Sequence, residues 1–209
     1  QRSRCGVAVA AHLESDDLER VKRDDYGHER GAIRKHFNLR AKKGRRYRVV
    51  QYASLVPGVL HSEPDWQASR MVGLAQWHGF DSLREQNRAA WSDLWRGRPV
   101  VVGASEEWQD VIDAAYFYLH SSIHPSSPFS IAPFGLSDRD AYKGHVFWDA
   151  ESFMYIPILL TSPRSARAMV RYRSDRLDAA RRNAAIHGQG GAMFPWQSGL
   201  YGDEVTEIN

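Results

Sequence analysis

The stretch that decides how this chain folds is KGHVFWDAESFMYIPILL, residues 143–160, which places a histidine, a tryptophan and two carboxylates in one apolar run. Asp149 directly follows Phe147 and Trp148, and Glu151 lies two residues further on. A fold that buries this run also buries charge, and a buried charge needs a partner or a binding role. The two carboxylates therefore mark either a structural ion pair or a binding site.

A second stretch, FPWQSGLYGDE at residues 194–204, also combines aromatic and polar side chains. A sugar ring needs an apolar platform for its C–H face and polar groups for its hydroxyls. Tryptophan beside aspartate or glutamine supplies both, so the two stretches favour a carbohydrate site. The residue types leave an alternative open, in which Trp148 and Trp196 are core aromatics and Asp149 caps the next helix.

The composition is that of a globular chain with a core of its own. The 209 residues are 43% hydrophobic and 11% aromatic, enough for one large domain or two small ones. No run approaches the roughly 20 apolar residues of a membrane span, so no membrane contact is expected. The chain begins at Gln1 rather than Met, which suggests a piece of a longer protein. The single Cys5 excludes an internal disulfide and favours a reducing compartment, so we expect a cytoplasmic location.

The charge pattern gives little support for nucleic acid or metal. The net charge is +3, and most of the excess lies in residues 27–50, where no aromatic stacking platform is interleaved. A solvated face is favoured there over a nucleic-acid surface, and no nucleic-acid partner is expected. The nine histidines are scattered along the chain, and we expect no metal site.

The periodicity predicts a change from strand to helix along the chain. Residues 44–56 read as a strand that ends at Pro57-Gly58. Helical spacing follows within 64–95. A second helix is predicted after Ser105, which can cap it, and its apolar stripe consists of Trp108, Val111, Ile112, Ala115 and Leu119. Residues 124–138 form a proline- and serine-rich loop of the kind that shapes sites. Another helix is predicted from Pro163, with Ser162 as its cap, to Gly188, with a break near Ser174.

Three stretches in this order resemble one known family: residues 143–160, RYRSDRLDAARRNA at 171–184, and GAMFPWQSG at 191–199. They are similar to the first part of the catalytic domain of glycoside hydrolase family 65. That family contains inverting phosphorylases for maltose, trehalose, kojibiose and nigerose, together with acid trehalase and related α-glucosidases. The resemblance is strong over 100–209 and fair over 45–99.

The resemblance implies a mixed, mainly α fold. On this basis residues 1–58 are expected to be the end of an N-terminal β-sandwich, 59–99 a helical linker, and 100–209 the first part of an (α/α)6 barrel, a six-hairpin catalytic domain. For the longer protein to which this chain would belong, a homodimer is one assembly to be tested.

The resemblance also implies roles for particular residues. The family's GHxFWD stretch lines the pocket for the non-reducing glucose, so Trp148 would be the ring platform and Asp149 the hydroxyl acceptor. The FPW stretch implies Trp196 and Gln197 as further substrate-binding residues. Lys143 and His145 fall in the same motif as Trp148, and each is equally well explained as structural.

The catalytic residues themselves are not identified in this chain. The family's general acid is a glutamate in a GPDEYH-like motif, which is expected downstream of Asn209. Glu204 is interpreted as a loop residue at the pocket rim rather than a catalytic group. Glu151 is interpreted as a helix cap or a support for the pocket.

The resemblance therefore implies cleavage of an α-glucoside of the trehalose, kojibiose or maltose type, with inversion and by hydrolysis. The alternative is an inverting phosphorylase that releases β-glucose 1-phosphate. No cofactor is expected, with inorganic phosphate as the co-substrate of a phosphorylase. A second alternative, a non-catalytic carbohydrate-binding helical domain, keeps the sugar pocket and lacks the acid.

Overall fold

The computed structural model describes residues 4–14, 22–29, 32–137 and 141–206. The chain divides into two compact units, Gln1–Asp93 and Leu94–Asn209. Its described part is mainly helical, which confirms the coarse fold class predicted from the sequence. The predicted boundaries at 58/59 and 99/100 stay predictions.

The first unit begins with antiparallel strand pairs. Its strands are β1 (Cys5–Glu14), β2 (Lys22–Glu29), β3 (Ala32–Asn38) and β4 (Arg48–Pro57). β1 pairs with β4 along its whole length, from Cys5 opposite Pro57 to Glu14 opposite Arg48. β2 pairs with β3. The strand predicted to end at Pro57 is confirmed as β4.

Two helices follow the strands, α1 (Pro64–His78) in the first unit and α2 (Phe80–Trp95), whose last two residues belong to the second unit. They are separated at Gly79, whose φ of 78° ends α1 in a conformation that glycine adopts without cost. Val72 of α1 packs against Val50 and Tyr52 of β4 to form the core of this unit. In the basic segment 27–50, residues 38–46 are exposed, and the side chains of 27–36 lie outside the described part.

The described part of the second unit consists mainly of helices, with two very short strands. Its helices are α3 (Glu106–Ser121), α4 (Tyr155–Thr161), α5 (Pro163–Ser174) and α6 (Leu177–Ile186). A 3-10 turn lies at Gly135–Ser137 and a π-helical turn at Ala150–Met154. The strands are β5 (Val146–Phe147) and β6 (Gln197–Ser198). The interval between α5 and α6 confirms the break predicted near Ser174.

The core of the second unit is built around α5. Ile158 of α4 and Met169 and Tyr172 of α5 are almost fully buried, and Ile131 from the long loop 124–138 joins them. The loop therefore contributes to the core as well as connecting helices. Among the described residues, no helix is both long and apolar enough to cross a membrane.

The face that α3 buries differs from the predicted one. Trp108 and Val111 are 64% and 59% exposed, whereas Tyr116 and His120 are buried. Each buried side chain has a hydrogen-bond partner: the Tyr116 hydroxyl donates to the Leu94 carbonyl at 2.7 Å, and His120 Nε2 lies 2.9 Å from Thr161 Oγ1. A pattern of purely apolar residues misses such positions, because tyrosine and histidine enter a core when their polar atoms are paired.

Helix capping by serine was also predicted wrongly. Ser105 precedes α3 and Ser162 precedes α5, but neither hydroxyl makes a capping hydrogen bond. Ser162 Oγ instead donates to Ser165 Oγ at 3.0 Å. The N-cap position was identified correctly in both helices, and only the bond is missing.

Candidate functional site

The two stretches that the sequence singled out meet as a short antiparallel ladder. Val146 of β5 lies opposite Ser198 of β6, and Phe147 lies opposite Gln197. The ladder is anchored to α5 through a buried hydrogen bond of 2.8 Å between the Tyr172 hydroxyl and Ser198 Oγ. The fold thus holds residues from distant parts of the chain in a fixed register.

The ladder brings two tryptophan rings together at its end. Trp148 follows β5 and Trp196 precedes β6, and their ring centroids lie 5.1 Å apart with 40° between the planes. The two residues are 44% and 55% exposed. They are therefore not core aromatics, and they present a tilted apolar surface to solvent.

Asp149 lies directly beside this aromatic pair. It occupies the residue before the π-helical turn, yet its side chain makes no capping hydrogen bond. The residue is half-buried, and its carboxylate has no hydrogen bond or ion pair to any residue in the described part of the chain. Both oxygens are available to accept hydrogen bonds from a ligand. Single-turn π-helices are frequent at functional sites.

His145 and Gln197 join the two stretches through their side chains. Gln197 Nε2 lies 2.7 Å from His145 Nδ1. With the amide as donor, Nδ1 accepts and the ring proton of neutral His145 is on Nε2. This bond fixes both side chains beside the ladder.

Lys143 lies on a turn that leads into β5. Its φ is 54°, Gly144 has a φ of 70°, and the His145 N–H donates to the Tyr142 carbonyl at 2.9 Å. Two successive positive φ values in a four-residue turn are typical of type I′. The left-handed conformation costs a residue with a side chain about 1–2 kcal/mol. Lys143 itself is exposed at this turn.

The comparison with family models covers this region. Residues 113–209 match the model of the glycosyl hydrolase family 65 central catalytic domain. This segment belongs to glycosyl hydrolase family 65. The family 65 segment includes every residue that the sequence analysis assigned to the sugar site.

Curated relatives of the chain include both hydrolases and phosphorylases. A kojibiose hydrolase from Flavobacterium johnsoniae is 38% identical over 173 residues, which cover 83% of this chain and 25% of that protein. A kojibiose phosphorylase from Caldanaerobacter subterraneus is 40% identical over 129 residues, which cover 61% of this chain and 17% of that protein. The chain thus spans a quarter or less of the length of these relatives.

A solved structure shares the fold. It is described as a candidate kojibiose phosphorylase from the human microbiome, and it matches with a TM-score of 0.70 at 18% identity. The match covers 97% of this chain and 28% of that one. At this identity the likeness concerns the fold.

Glu204, also in the family 65 segment, binds the backbone of Trp196 and its neighbour. Its carboxylate accepts hydrogen bonds from the backbone N–H groups of Trp196 at 2.7 Å, Gln197 at 3.2 Å and Thr206 at 3.1 Å. The Thr206 hydroxyl donates a fourth at 2.6 Å. Burial by itself raises the pKa of Glu204, but these donors outweigh it and lower the pKa below its ordinary value. Such a carboxylate stays ionised and is poorly suited to act as a general acid.

Sequence reasoning missed Arg173, which connects the site to α5. Its Nη2 donates to Glu151 Oε2 at 2.7 Å and to the Phe147 carbonyl at 3.2 Å, while Nε donates to Glu151 Oε1 at 3.0 Å. The Arg173 side chain is only 12% exposed. The available signal was its place on the same helical face as the apolar residues of α5.

These contacts show that the two carboxylates in the stretch 143–160 have different environments. Glu151 has a structural partner in Arg173, whereas Asp149 has none among the described residues. Within the described residues no group of three or more potential ligands is arranged for a metal ion. The roles assigned to the six predicted sugar-site residues stay predictions, as does the expectation that no cofactor is used.

Proposed function

We propose that the protein cleaves α-glucosides of the trehalose, kojibiose or maltose type by hydrolysis with inversion. The observation that carries this proposal is the pairing of two half-exposed tryptophans, Trp148 and Trp196, beside Asp149, whose carboxylate has no partner among the described residues. Membership of the segment in family 65 supports the reaction class.

In this proposal the non-reducing glucose packs its C–H face on the tryptophan pair. Asp149 then accepts hydrogen bonds from the sugar hydroxyls at the edge of the ring. Charge-assisted hydrogen bonds contribute about 1.5–3 kcal/mol each, so one carboxylate dominates the polar recognition. Gln197 and His145 fix the edge of the site through their mutual hydrogen bond.

Inversion requires an acid on the leaving oxygen and a nucleophile that attacks from the opposite face. We place the acid in a GPDEYH-like motif downstream of Asn209, because Glu151 and Glu204 are both engaged in structural contacts. The reaction needs no cofactor in this scheme. The finer architecture, an (α/α)6 barrel that follows a β-sandwich and a helical linker, belongs to the same proposal, and the solved relative that covers 97% of the chain supports it.

Phosphorolysis is the second candidate reaction. It is favoured by the identity of 40% to a kojibiose phosphorylase, against 38% to a kojibiose hydrolase over a longer stretch. In that case inorganic phosphate replaces water and β-glucose 1-phosphate is released. A non-catalytic carbohydrate-binding domain is the third candidate, because the sugar site described here needs no acid to bind.

The experiment that separates these candidates uses the product of the complete open reading frame. It is incubated with trehalose, kojibiose and maltose, with and without inorganic phosphate, and glucose and glucose 1-phosphate are quantified. Release of glucose without phosphate supports hydrolysis. Strictly phosphate-dependent turnover overturns hydrolysis, and binding without cleavage of any of the sugars overturns the enzyme proposal. Sedimentation of the same product tests the homodimer.

A further inference from the structure

A cavity of about 500 Å³ lies beside α5, and neither Trp148 nor Trp196 lines it. It is lined by Pro163, Arg164, Arg167 and Arg171 of α5 and by His124, Pro125 and Ser126 of the loop after α3. We propose that this cavity binds a small organic phosphate ester. The proposal does not rest on the proposed function.

The described residues that line the cavity include three arginines and no acidic residue. Arg164, Arg167 and Arg171 are spaced by three and four residues, so they lie on one face of α5. All three are exposed, and none has a hydrogen bond or ion pair to a described residue. Like charges at this spacing repel each other and weaken the helix. A bound anion would remove that repulsion.

The position of the cavity on the helix adds to this imbalance. The cavity reaches Pro163 and Arg164, the first residues of α5, and the first turn of α5 contains no acidic residue. The N-terminal end of a helix carries a partial positive charge that favours anions and disfavours arginine. The arginine at this end therefore adds to the unfavourable charge that an anion would neutralise.

The opposite wall is held in place by its own hydrogen bonds. His124 Nδ1 lies 2.7 Å from Ser126 Oγ and accepts the Ser126 N–H at 3.2 Å, while the Ser127 N–H donates to the His124 carbonyl at 2.8 Å. With Nδ1 as acceptor, neutral His124 carries its proton on Nε2 and can donate it. A preformed wall lowers the entropy cost of binding.

The chemistry and size of the cavity point to a phosphate ester. The planar guanidinium donates in pairs to phosphate oxygens, which makes arginine the favoured residue for such groups. A volume of about 500 Å³ falls within the range for small organic ligands and exceeds what one phosphate fills. At about 100° per residue the arginines point away from Arg173, which faces the sugar site. The cavity is therefore a separate site.

The test is calorimetric titration of the purified protein with ribose 5-phosphate at low ionic strength, beside ribose and inorganic phosphate. We expect saturable binding of the ester, weaker binding of phosphate and no binding of ribose. Arg164→Gln, Arg167→Gln and Arg171→Gln should each weaken ester binding about tenfold. Added salt should weaken it as well, because the arginines are exposed.

The matched control is Arg181→Gln, an exposed arginine of α6 that pairs with Asp178. It should bind ribose 5-phosphate like the unmodified protein. Absence of saturable binding, phosphate binding as tight as the ester, or equal loss in the control would each overturn the proposal. Melting temperatures of every variant show whether the fold is kept. The three single variants decide the outcome because each removes only one exposed charge.

Discussion

Trp148 and Trp196 lie one residue beyond the last pair of the β5–β6 ladder, at the same end of it. Phe147 lies opposite Gln197, so one step further along the two chains brings Trp148 beside Trp196, and their ring centroids are 5.1 Å apart. The aromatic surface of the candidate site is thus set by backbone register. Asp149 follows at once, so the register also fixes the carboxylate beside the rings.

The role of Asp149 can be tested by removing its charge. Replacement of a carboxylate that accepts sugar hydroxyls leaves the hydroxyl donors unpaired. We expect Asp149→Ala and Asp149→Asn to weaken glucose binding about 10- to 100-fold, equivalent to the loss of one charge-assisted hydrogen bond. Titration calorimetry measures binding, and circular dichroism monitors the fold.

The control for this experiment is Asp110→Asn. Asp110 lies exposed on α3 and has no partner among the described residues, so its loss should leave glucose binding unchanged. Unfolding of Asp149→Ala with no separate binding defect would show that Asp149 is structural.

The tryptophan pair gives a second prediction. Trp148→Leu and Trp196→Leu should each weaken glucose binding about two- to tenfold, because leucine keeps apolar contact but loses the flat ring face. Glucose should also change the tryptophan fluorescence of the unmodified protein. Trp108→Leu removes a 64% exposed ring on α3. It should leave both the affinity for glucose and the glucose-induced change in fluorescence unaltered. An equal effect of all three substitutions would exclude a specific platform.

The sequence predicted the elements of this site better than their connections. β4 and the break between α5 and α6 were predicted from the periodicity and from the interruptions of the pattern at Pro57 and Ser174. The ladder that joins the two motifs could not be predicted, because each of its strands has only two residues. Such strands are defined by a partner that lies far away in the sequence.

The sequence also could not show which of the two carboxylates, Asp149 or Glu151, has a structural partner. Composition indicated that a buried charge at 149 or 151 needed a partner or a role, but it did not indicate which. The answer depends on Arg173, which reaches Glu151 only because α5 packs against the π-helical segment. Pairing of this kind is a property of the packed fold.

The Glu204 hydrogen bonds make a prediction about pH. Because its donors lower the pKa of Glu204 below the ordinary 4.5, its stabilising effect is present above that value. The effect is lost as the pH falls through the lower pKa of the folded state. Amide exchange of Trp196 and Gln197 should therefore stay slow down to mildly acidic pH. Glu204→Gln should speed this exchange wherever Glu204 is ionised, because a neutral amide is a weaker acceptor than a carboxylate, and the difference should disappear below the pKa of the folded state.

Glu107→Gln is the control for the Glu204 experiment. Glu107 is exposed in the first turn of α3, far in sequence from the ladder. Its substitution should leave the exchange of Trp196 and Gln197 unchanged. Unaltered exchange in Glu204→Gln would show that the carboxylate does not hold this segment.

His120 should make the stability of its unit depend on pH closer to neutrality than Glu204 does. Burial lowers the pKa of His120 from 6.5, so the folded state binds fewer protons than the unfolded state. The contribution is therefore complete above pH 6.5 and is lost as the pH falls towards the lower pKa of the folded state. His120→Gln should reduce the difference in melting temperature between about pH 7.5 and about pH 5.5. The exposed His61→Gln should leave that difference intact.

The ion pair between Glu151 and Arg173 should show strong energetic coupling in a double-mutant cycle of Glu151→Gln and Arg173→Lys. Lysine keeps the charge but cannot make the two parallel hydrogen bonds that Arg173 makes to the carboxylate. We expect a coupling free energy of about 1–2 kcal/mol in urea unfolding. This is less than the roughly 3–5 kcal/mol for breaking a fully buried pair, because the Glu151 side chain is 37% exposed. The exposed pair Arg181–Asp178 provides the comparison, with an expected coupling below about 0.5 kcal/mol. Coupling as small as that of the exposed pair would mean that Arg173 does not position the segment that carries Trp148 and Asp149.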